Sequence, residues 1–514
     1  MLKKFWPHFA ILGAGLIALA LTYLYQYHWL RHIGLPLDDS YIHLQFAKNI
    51  IAGKWFVYTD SQPATPGDTS PLWIILIAGV GLFCKNLATA SLVLGGLFYI
   101  LTGLVAFQLG RRFFSDAFAL GFALVVIFTG RMLWAAASGM EVTLFSFLCL
   151  LGILLYLRGK EQKRFSVSAA AVFGLAVNAR PEGYLLFLLA LLDWILIEKI
   201  SREKKLSAAQ IPWIQGMVFL LLALPYPIFS LVSTGHFTPN TFRATRLPFG
   251  WERSWEYLKL VIETFYNDHL LLHLALPLGA VVFFAQAVKT RGKEHGGFLL
   301  WLWPAGYLVA SFFLTPLSFH FQRYIIPVLP FFILLSFYGW EWALQKAGRL
   351  MRPRPASIVN YVFISIIIVW AALISLGSWP QIAARCVKNI DEMQIKIGRW
   401  VRDNTKPDEM IAANDIGAIF YISDRPALDL AGLTNPEILN QVQGLNIRNQ
   451  ERDRITLKYL QQKRPDYLIV FPKWFPRMVE NTQYFQPVFS VRIEDRIIVP
   501  AKEMTVYKCS WPGK

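Results

Sequence analysis

About eleven stretches of this 514-residue chain are long and apolar enough to cross a lipid bilayer, and that repetition restricts the fold more than any other feature. They cover roughly residues 8–27, 87–110, 114–130, 141–157, 166–179, 183–198, 211–232, 269–288, 297–314, 323–342 and 357–376. Hydrocarbon offers a backbone no hydrogen-bond partners, so each stretch must cross as a helix. Composition agrees: 55% of residues are hydrophobic and only 16% are charged, too few for a water-facing surface. The fold expected is mainly α, a polytopic membrane protein. The apolar run that follows Lys3 and Lys4 is long and has no small-residue cleavage site after it, so it reads as a retained first helix.

The net charge of +17 would suggest nucleic acid in a soluble protein. Here it reads as topology, because cytoplasmic loops carry the Lys and Arg. With Lys3 and Lys4 inside, alternating crossings place Arg111 and Arg112 on the same side, with Arg158 to Arg164 and then Arg202, Lys204 and Lys205. Lys289, Arg291 and Lys293 follow, then Lys346, Arg349, Arg352 and Arg354. The apolar segment 71–84 cannot be a further span, since counting it would invert every later loop. It is expected to lie on, or dip into, the outer face. Three segments then sit outside: 28–86, 233–268 and the tail from 377. The expected setting is the inner (cytoplasmic) membrane, with active site and tail extracytoplasmic.

Residues 1–376 read as a transmembrane domain and 377–514 as a soluble α/β domain, joined through a linker near Gly377-Ser378-Trp379-Pro380. The tail's pattern predicts an amphipathic helix over 389–403 and strands near 409–413, 427–431, 467–471, 488–493 and 504–508. Cys386 and Cys509 fall in this part and could pair as a disulfide on an oxidising side.

Chemistry concentrates at the outer ends of the helices. The first outer loop holds Leu37-Asp38-Asp39-Ser40-Tyr41-Ile42-His43. Capping the following helix explains one carboxylate but not two. The functional alternative is a general base that takes a proton from an acceptor hydroxyl. Glu141 opens a helix, Arg180 and Glu182 share an outer turn, and Arg243 and Arg246 lie in the second outer loop. His320, Arg323 and Tyr324 form another turn. Each has an ordinary reading: a helix-end carboxylate, a structural ion pair, lipid-headgroup contact, an interfacial histidine. As a set they are the outward exceptions in a chain that keeps its cations inside, and arginines beside carboxylates suit a phosphate leaving group. Nucleotide sugars are absent outside the membrane, so a sugar donor there is expected on a lipid phosphate.

The segment LDDSYIHLQFAKNIIAGKWFVYTDSQPATPGDTSPLW resembles the first extracytoplasmic loop of GT-C superfamily glycosyltransferases, in particular the group related to bacterial cell-envelope arabinofuranosyltransferases. SGMEVTLF, NARPEGY, TPNTFRAT, HFQRYIIPVLP and the tail segment around Asp415, Asp429 and Gly432 extend the resemblance over most of the chain. It implies a GT-C transmembrane core and an inverting transfer from a polyprenyl-phosphate sugar to a glycan or glycolipid. Asp38 or Asp39 would be the base, with Arg180, Arg243 and Arg323 at the donor phosphate. Tyr41, His43, Glu141, Glu182, Arg246, His320 and Tyr324 complete the substrate-binding candidates. Where relatives commonly carry Lys after the TPNTF-like segment, this chain has Arg243-Ala244-Thr245-Arg246. No cofactor is firmly implied; some members use a divalent cation, which Asp38, Asp39 and Glu141 could hold if they converge. Two other functions share this topology: a flippase of lipid-linked glycans, which should place ionisable groups mid-membrane, and an extracytoplasmic glycan ligase or polymerase.

Overall fold

The computed structural model describes residues 2–202, 212–246, 248–290, 297–314, 316, 320–349, 353–446 and 449–513. Lys204, Lys205, Arg291, Lys293 and Arg352 lie outside the described residues, as do the side chains of Lys3, Lys4, Arg202 and Arg354.

A first helix, α1 (Leu2–Leu30), leaves Phe9, Leu16 and Leu24 exposed, as a lipid-facing stripe requires. Two short helices follow, α2 (Asp38–Ile51) and α3 (Pro71–Gly81). At 11 residues α3 is about 17 Å long, half the hydrocarbon thickness. It packs Trp73, Ile74 and Ile77 into the protein. The bundle continues with α4 (Leu87–Gly110), α5 (Asp116–Ile127), α6 (Gly130–Ala136), α7 (Val142–Glu161), α8 (Val167–Ala179) and α9 (Gly183–Arg202). Then come α10 (Trp213–Ala223), α11 (Pro225–Thr234), α12 (Asn240–Thr245), α13 (Trp251–His273), α14 (Leu276–Lys289), α15 (Leu299–Leu314), α16 (Leu329–Gly348) and α17 (Pro353–Ile390).

Among the described residues, five helices are long and apolar enough to span a membrane, or up to eight when each bent pair counts as one span. The pairs α5–α6, α10–α11 and α13–α14 bend by 57°, 45° and 73°. With the shorter apolar helices α8, α9 and α15, these cover the predicted spans. The protein is multi-pass in the membrane. One expected loop is largely helical: α12 and α13 together occupy most of 233–268.

The predicted linker at 377–380 does not exist. Helix α17 runs through it, a π-helical turn over Asp391–Ile395 continues it, and α18 (Lys396–Asn404) completes it. Pro380 removes only one backbone donor from the helix, and the buried Trp379 beside it packs on Phe321 at 5.7 Å between ring centroids.

The tail carries β1 (Ile411–Ala413), α19 (Gly417–Ser423), β2 (Ala427–Asp429), α20 (Pro436–Val442), α21 (Gln450–Lys463), β3 (Tyr467–Val470), α22 (Pro476–Val479), β4 (Phe485–Arg492) and β5 (Glu503–Cys509). The five strands form one mixed sheet in the order β2-β1-β3-β5-β4. Strand β1 lies parallel to both β2 and β3, with Ile411 opposite Ala427 and Tyr467, while β5 is antiparallel to β3 and β4. The parallel strands are buried at every residue, as strands covered on both faces should be. No disulfide joins Cys386 to Cys509: the first is a buried thiol on α17, the second sits on β5.

The tail domain docks on the first outer loop and on α12. Tyr58 donates its hydroxyl to the Ile416 carbonyl, Gln62 Nε2 donates to Ala427 O at 2.8 Å, and Asn240 Nδ2 to Leu433 O at 3.1 Å. The cavity described next lies at this junction.

Candidate functional site

Helix α2 begins with both carboxylates in its first turn, where the helix dipole favours them. Neighbouring residues on a helix point about 100° apart, so Asp38 and Asp39 diverge. Asp38 turns to the tail domain. Its carboxylate accepts from the backbone N–H groups of Gly417 at 2.9 Å and Ala418 at 2.7 Å, and so caps α19. Burial, with the nearby Asp415 carboxylate, pushes the Asp38 pKa well above its ordinary value. Asp39 turns to the bundle and accepts from Arg323 Nη2 at 2.7 Å. Burial is the largest influence and works against its charge, but the charge and hydrogen bond of Arg323, with the neighbouring histidines, together hold the carboxyl below the usual range.

His43 lies one turn beyond Asp39 on the same face. Its Nδ1 is 2.6 Å from Asp68 Oδ2 and its Nε2 is 3.4 Å from Glu141 Oε2. Burial opposes a charged ring here, yet Asp68 and Glu141 prevail and push His43 up to about 10. Arg180 stands in extended conformation just past α8. Its Nη1 donates to Glu141 at 2.7 Å and its Nη2 to Glu182 at 2.8 Å. The Tyr324 ring lies between two guanidiniums, 4.9 Å from Arg180 and 5.2 Å from Arg323. Tyr307 donates its hydroxyl to the Tyr324 carbonyl, which fixes the backbone beside Arg323.

Asp39, His43, Asp68, Glu141, Arg180, Tyr307, Arg323 and Tyr324 line a cavity of about 460 Å³, within the range of small-molecule sites. Its remaining walls are mostly apolar and include Phe237 and Phe242 from the second outer loop, Leu314 from α15 and Leu433 from the tail domain. Arg323 is only 8% exposed, and among the described residues its Nε and Nη1 have no acceptor. Buried donors of this kind are costly unless something anionic meets them. Glu182 Oε2 is likewise buried without a partner among the described residues.

Of the sequence candidates, Asp39, His43, Glu141, Arg180, Glu182, Arg323 and Tyr324 meet at this cavity. The others do not line it. Arg243 turns to α20 and donates to Asn440 at 2.6 Å and Gln443 at 2.9 Å, so it ties the second outer loop to the tail domain. Arg246 is exposed just past α12. Tyr41 faces Tyr421 of α19 at 5.7 Å. His320 stands just behind Asp39 and Arg323, and burial, reinforced by Arg323, pushes it down to about 4. Asp38, Asp39 and Glu141 do not converge. Among the described residues, no group of three or more His, Cys, Asp or Glu is arranged to hold a metal ion. Sequence reasoning passed over Asp68 and Tyr307. Asp68 also accepts from Ser70 N at 2.7 Å, so it reads as an ordinary turn carboxylate, and Tyr307 reads as helix core.

A family model described as a domain of unknown function, DUF8728, matches residues 388–507, the tail domain alone. No curated protein matches the sequence. Solved structures match along the chain. ArnT from Cupriavidus metallidurans bound to undecaprenyl phosphate is 13% identical with a TM-score of 0.62, over 97% of both chains. The chain has the GT-C fold. The oligosaccharyltransferase of Archaeoglobus fulgidus in its apo form matches at 12% identity and TM-score 0.61, over 95% of this chain and 74% of that one. The same organism's AglB, in complex with an inhibitory peptide and a dolichol-phosphate, gives 12% and 0.59 over 95% and 73%. At these identities the likeness is one of fold. The match to ArnT takes in the tail domain as well as the bundle.

Proposed function

We propose that this chain is a membrane glycosyltransferase that moves a sugar, with inversion, from a polyprenyl-phosphate donor to an extracytoplasmic glycan or glycolipid acceptor. The observation that carries the reading is Arg323: a buried guanidinium in a cavity with two nitrogens unpartnered among the described residues, bonded through its third nitrogen to a carboxylate. Structural neighbours bound to undecaprenyl phosphate and to dolichol-phosphate support the donor class. The first-loop motif supports the arabinofuranosyltransferase-like group, and the basic loops support an inner-membrane setting with the N-terminus inside.

In this mechanism the acceptor hydroxyl attacks the anomeric carbon on the face opposite the phosphate and gives its proton to Asp39. The bond from the anomeric carbon to the phosphate oxygen breaks, and the lipid phosphate leaves with the electron pair. Arg323, with Arg180 behind it, stabilises the charge that grows there, the task a divalent cation performs in other sites. Asp39 is held low, so it is ionised and ready at neutral pH. Because the cavity's ionisable groups gather at one end of the bundle, not along a path through it, transfer accounts for them better than flipping does.

The test uses protein in nanodiscs with undecaprenyl phosphate as probe. Arg323→Gln should weaken binding by at least about tenfold, the loss expected for a charge-assisted contact. Asp39→Asn should keep the lipid and abolish release of polyprenyl phosphate from the membrane's own lipid-linked sugars. Full turnover in Asp39→Asn would remove the base from the mechanism.

A further inference from the structure

His320, Phe321 and Gln322 all adopt left-handed backbone conformations, with φ of 50°, 56° and 54°. None is glycine, and the left-handed region is sterically unfavourable for each. Three in a row persist only where surrounding contacts over-determine them. Those contacts converge from Arg131, the second residue of α6. Its Nη1 donates to the Phe321 carbonyl at 2.7 Å and to Gln322 Oε1 at 2.5 Å, and its Nε donates to Asp268 at 2.8 Å. Its guanidinium lies 5.4 Å from the centre of the Trp379 ring. Phe321 packs edge-on against Trp134 at 5.3 Å and against Trp379 at 5.7 Å. Gly130 lets Trp379 close in, since a Cβ there would overlap the indole.

The turn ends at Arg323. A hydrogen-bonded path therefore runs from Asp268 through Arg131 and the left-handed turn to Arg323 and on to Asp39. Arg131 does not line the cavity, so it cannot touch a ligand there. We infer that Arg131 is a positioning residue: it holds the 320–322 turn in its strained form and thereby aims the Arg323 guanidinium at the phosphate. This rests on reading the cavity as a lipid-phosphate site.

The planar fork of arginine is what serves the turn and Asp268 together. Lysine keeps the charge and loses the fork. The experiment is a double-mutant cycle on undecaprenyl phosphate binding in nanodiscs, with Arg131→Lys, Arg323→Lys and the pair. Arg131→Lys should melt within a few degrees of wild type and bind about tenfold more weakly. The pair should be no weaker than Arg323→Lys alone. Losses that simply add would make Arg131 a scaffold residue and overturn the proposal, as would full affinity in Arg131→Lys. If Arg323→Lys itself binds normally, the phosphate reading falls and takes this inference with it. Should Arg131→Lys not fold, Asp268→Asn removes the partner that orients Arg131. It should give a smaller loss that vanishes in the Arg323→Lys background, and an additive loss there would count against the positioning role.

Discussion

Replacing Asp38 with Asn should loosen α19 locally without abolishing transfer. In the wild type the Asp38 carboxylate satisfies two buried backbone donors, Gly417 N and Ala418 N. Asparagine has one carbonyl oxygen, so one donor loses its acceptor and faces an amide NH₂ instead. A buried unsatisfied N–H costs about 1–3 kcal/mol. Part of this is offset, because burial already disfavours the Asp38 charge and Asn carries none. A net loss of about 1–2 kcal/mol remains, equal to a local opening constant up roughly 5- to 30-fold. Hydrogen exchange followed by mass spectrometry over 417–423 reads this directly. Protection there should fall by roughly tenfold in Asp38→Asn and stay unchanged in Asp39→Asn. Tyr58, Gln62 and Asn240 hold their own contacts, so the domain stays docked. Transfer should survive in Asp38→Asn, reduced, and vanish in Asp39→Asn and in the double variant. If Asp38→Asn lost all transfer with exchange over 417–423 unaltered, the division of labour between the two carboxylates would be wrong.

His43 predicts a pH dependence. Its folded pKa is raised from 6.5 to about 10, so the stability it contributes is complete below pH 6.5 and is lost as pH rises through about 10. Melting temperatures from pH 6 to 10.5 should decline less steeply in His43→Gln than in wild type; parallel curves would show that the ring is neutral. Gly417→Ala should undock α19, because a Cβ there would overlap the Asp38 carbonyl oxygen. Limited proteolysis between α18 and β2 should accelerate, and unchanged cleavage would mean the contact is looser than described.

The spans were legible because each apolar run must satisfy its own backbone in lipid, and 71–84 forms only the short helix α3. The tail strands were legible too. All five lie within three residues of their expected starts, set off by turn residues and short β-branched or aromatic runs. Helix α13 was missed because Trp251, Glu252, Arg253 and Glu256 make its start too polar to resemble a span. The false linker came from Pro380: the residue marks a break in sequence, but burial of Trp379 carries the helix through. The site was readable as a list and not as an arrangement. Nothing near position 38 indicates that its carboxylate meets an amide 379 residues later, or that Arg243 turns to Asn440. Those pairings depend on how the tail domain folds back. Arg131 was invisible for another reason: it sits inside an apolar run, where it reads as an isolated cation.

From Pro353 to Asn404 the backbone stays helical, some 75–80 Å of rod against a hydrocarbon core of about 30 Å. Near its middle, Trp379 touches the residues that shape the Arg323 turn. Farther along, Asn389 Nδ2 is bonded to the Asp495 carbonyl at 2.6 Å and Gln394 to Asp415 at 3.0 Å, in the domain that supplies Leu433 to the opposite wall. A single shaft thus sets the gauge of the cavity. A load that twists the tail domain is carried along one continuous piece of backbone to Trp379, and from there by side-chain contact to the turn that precedes Arg323.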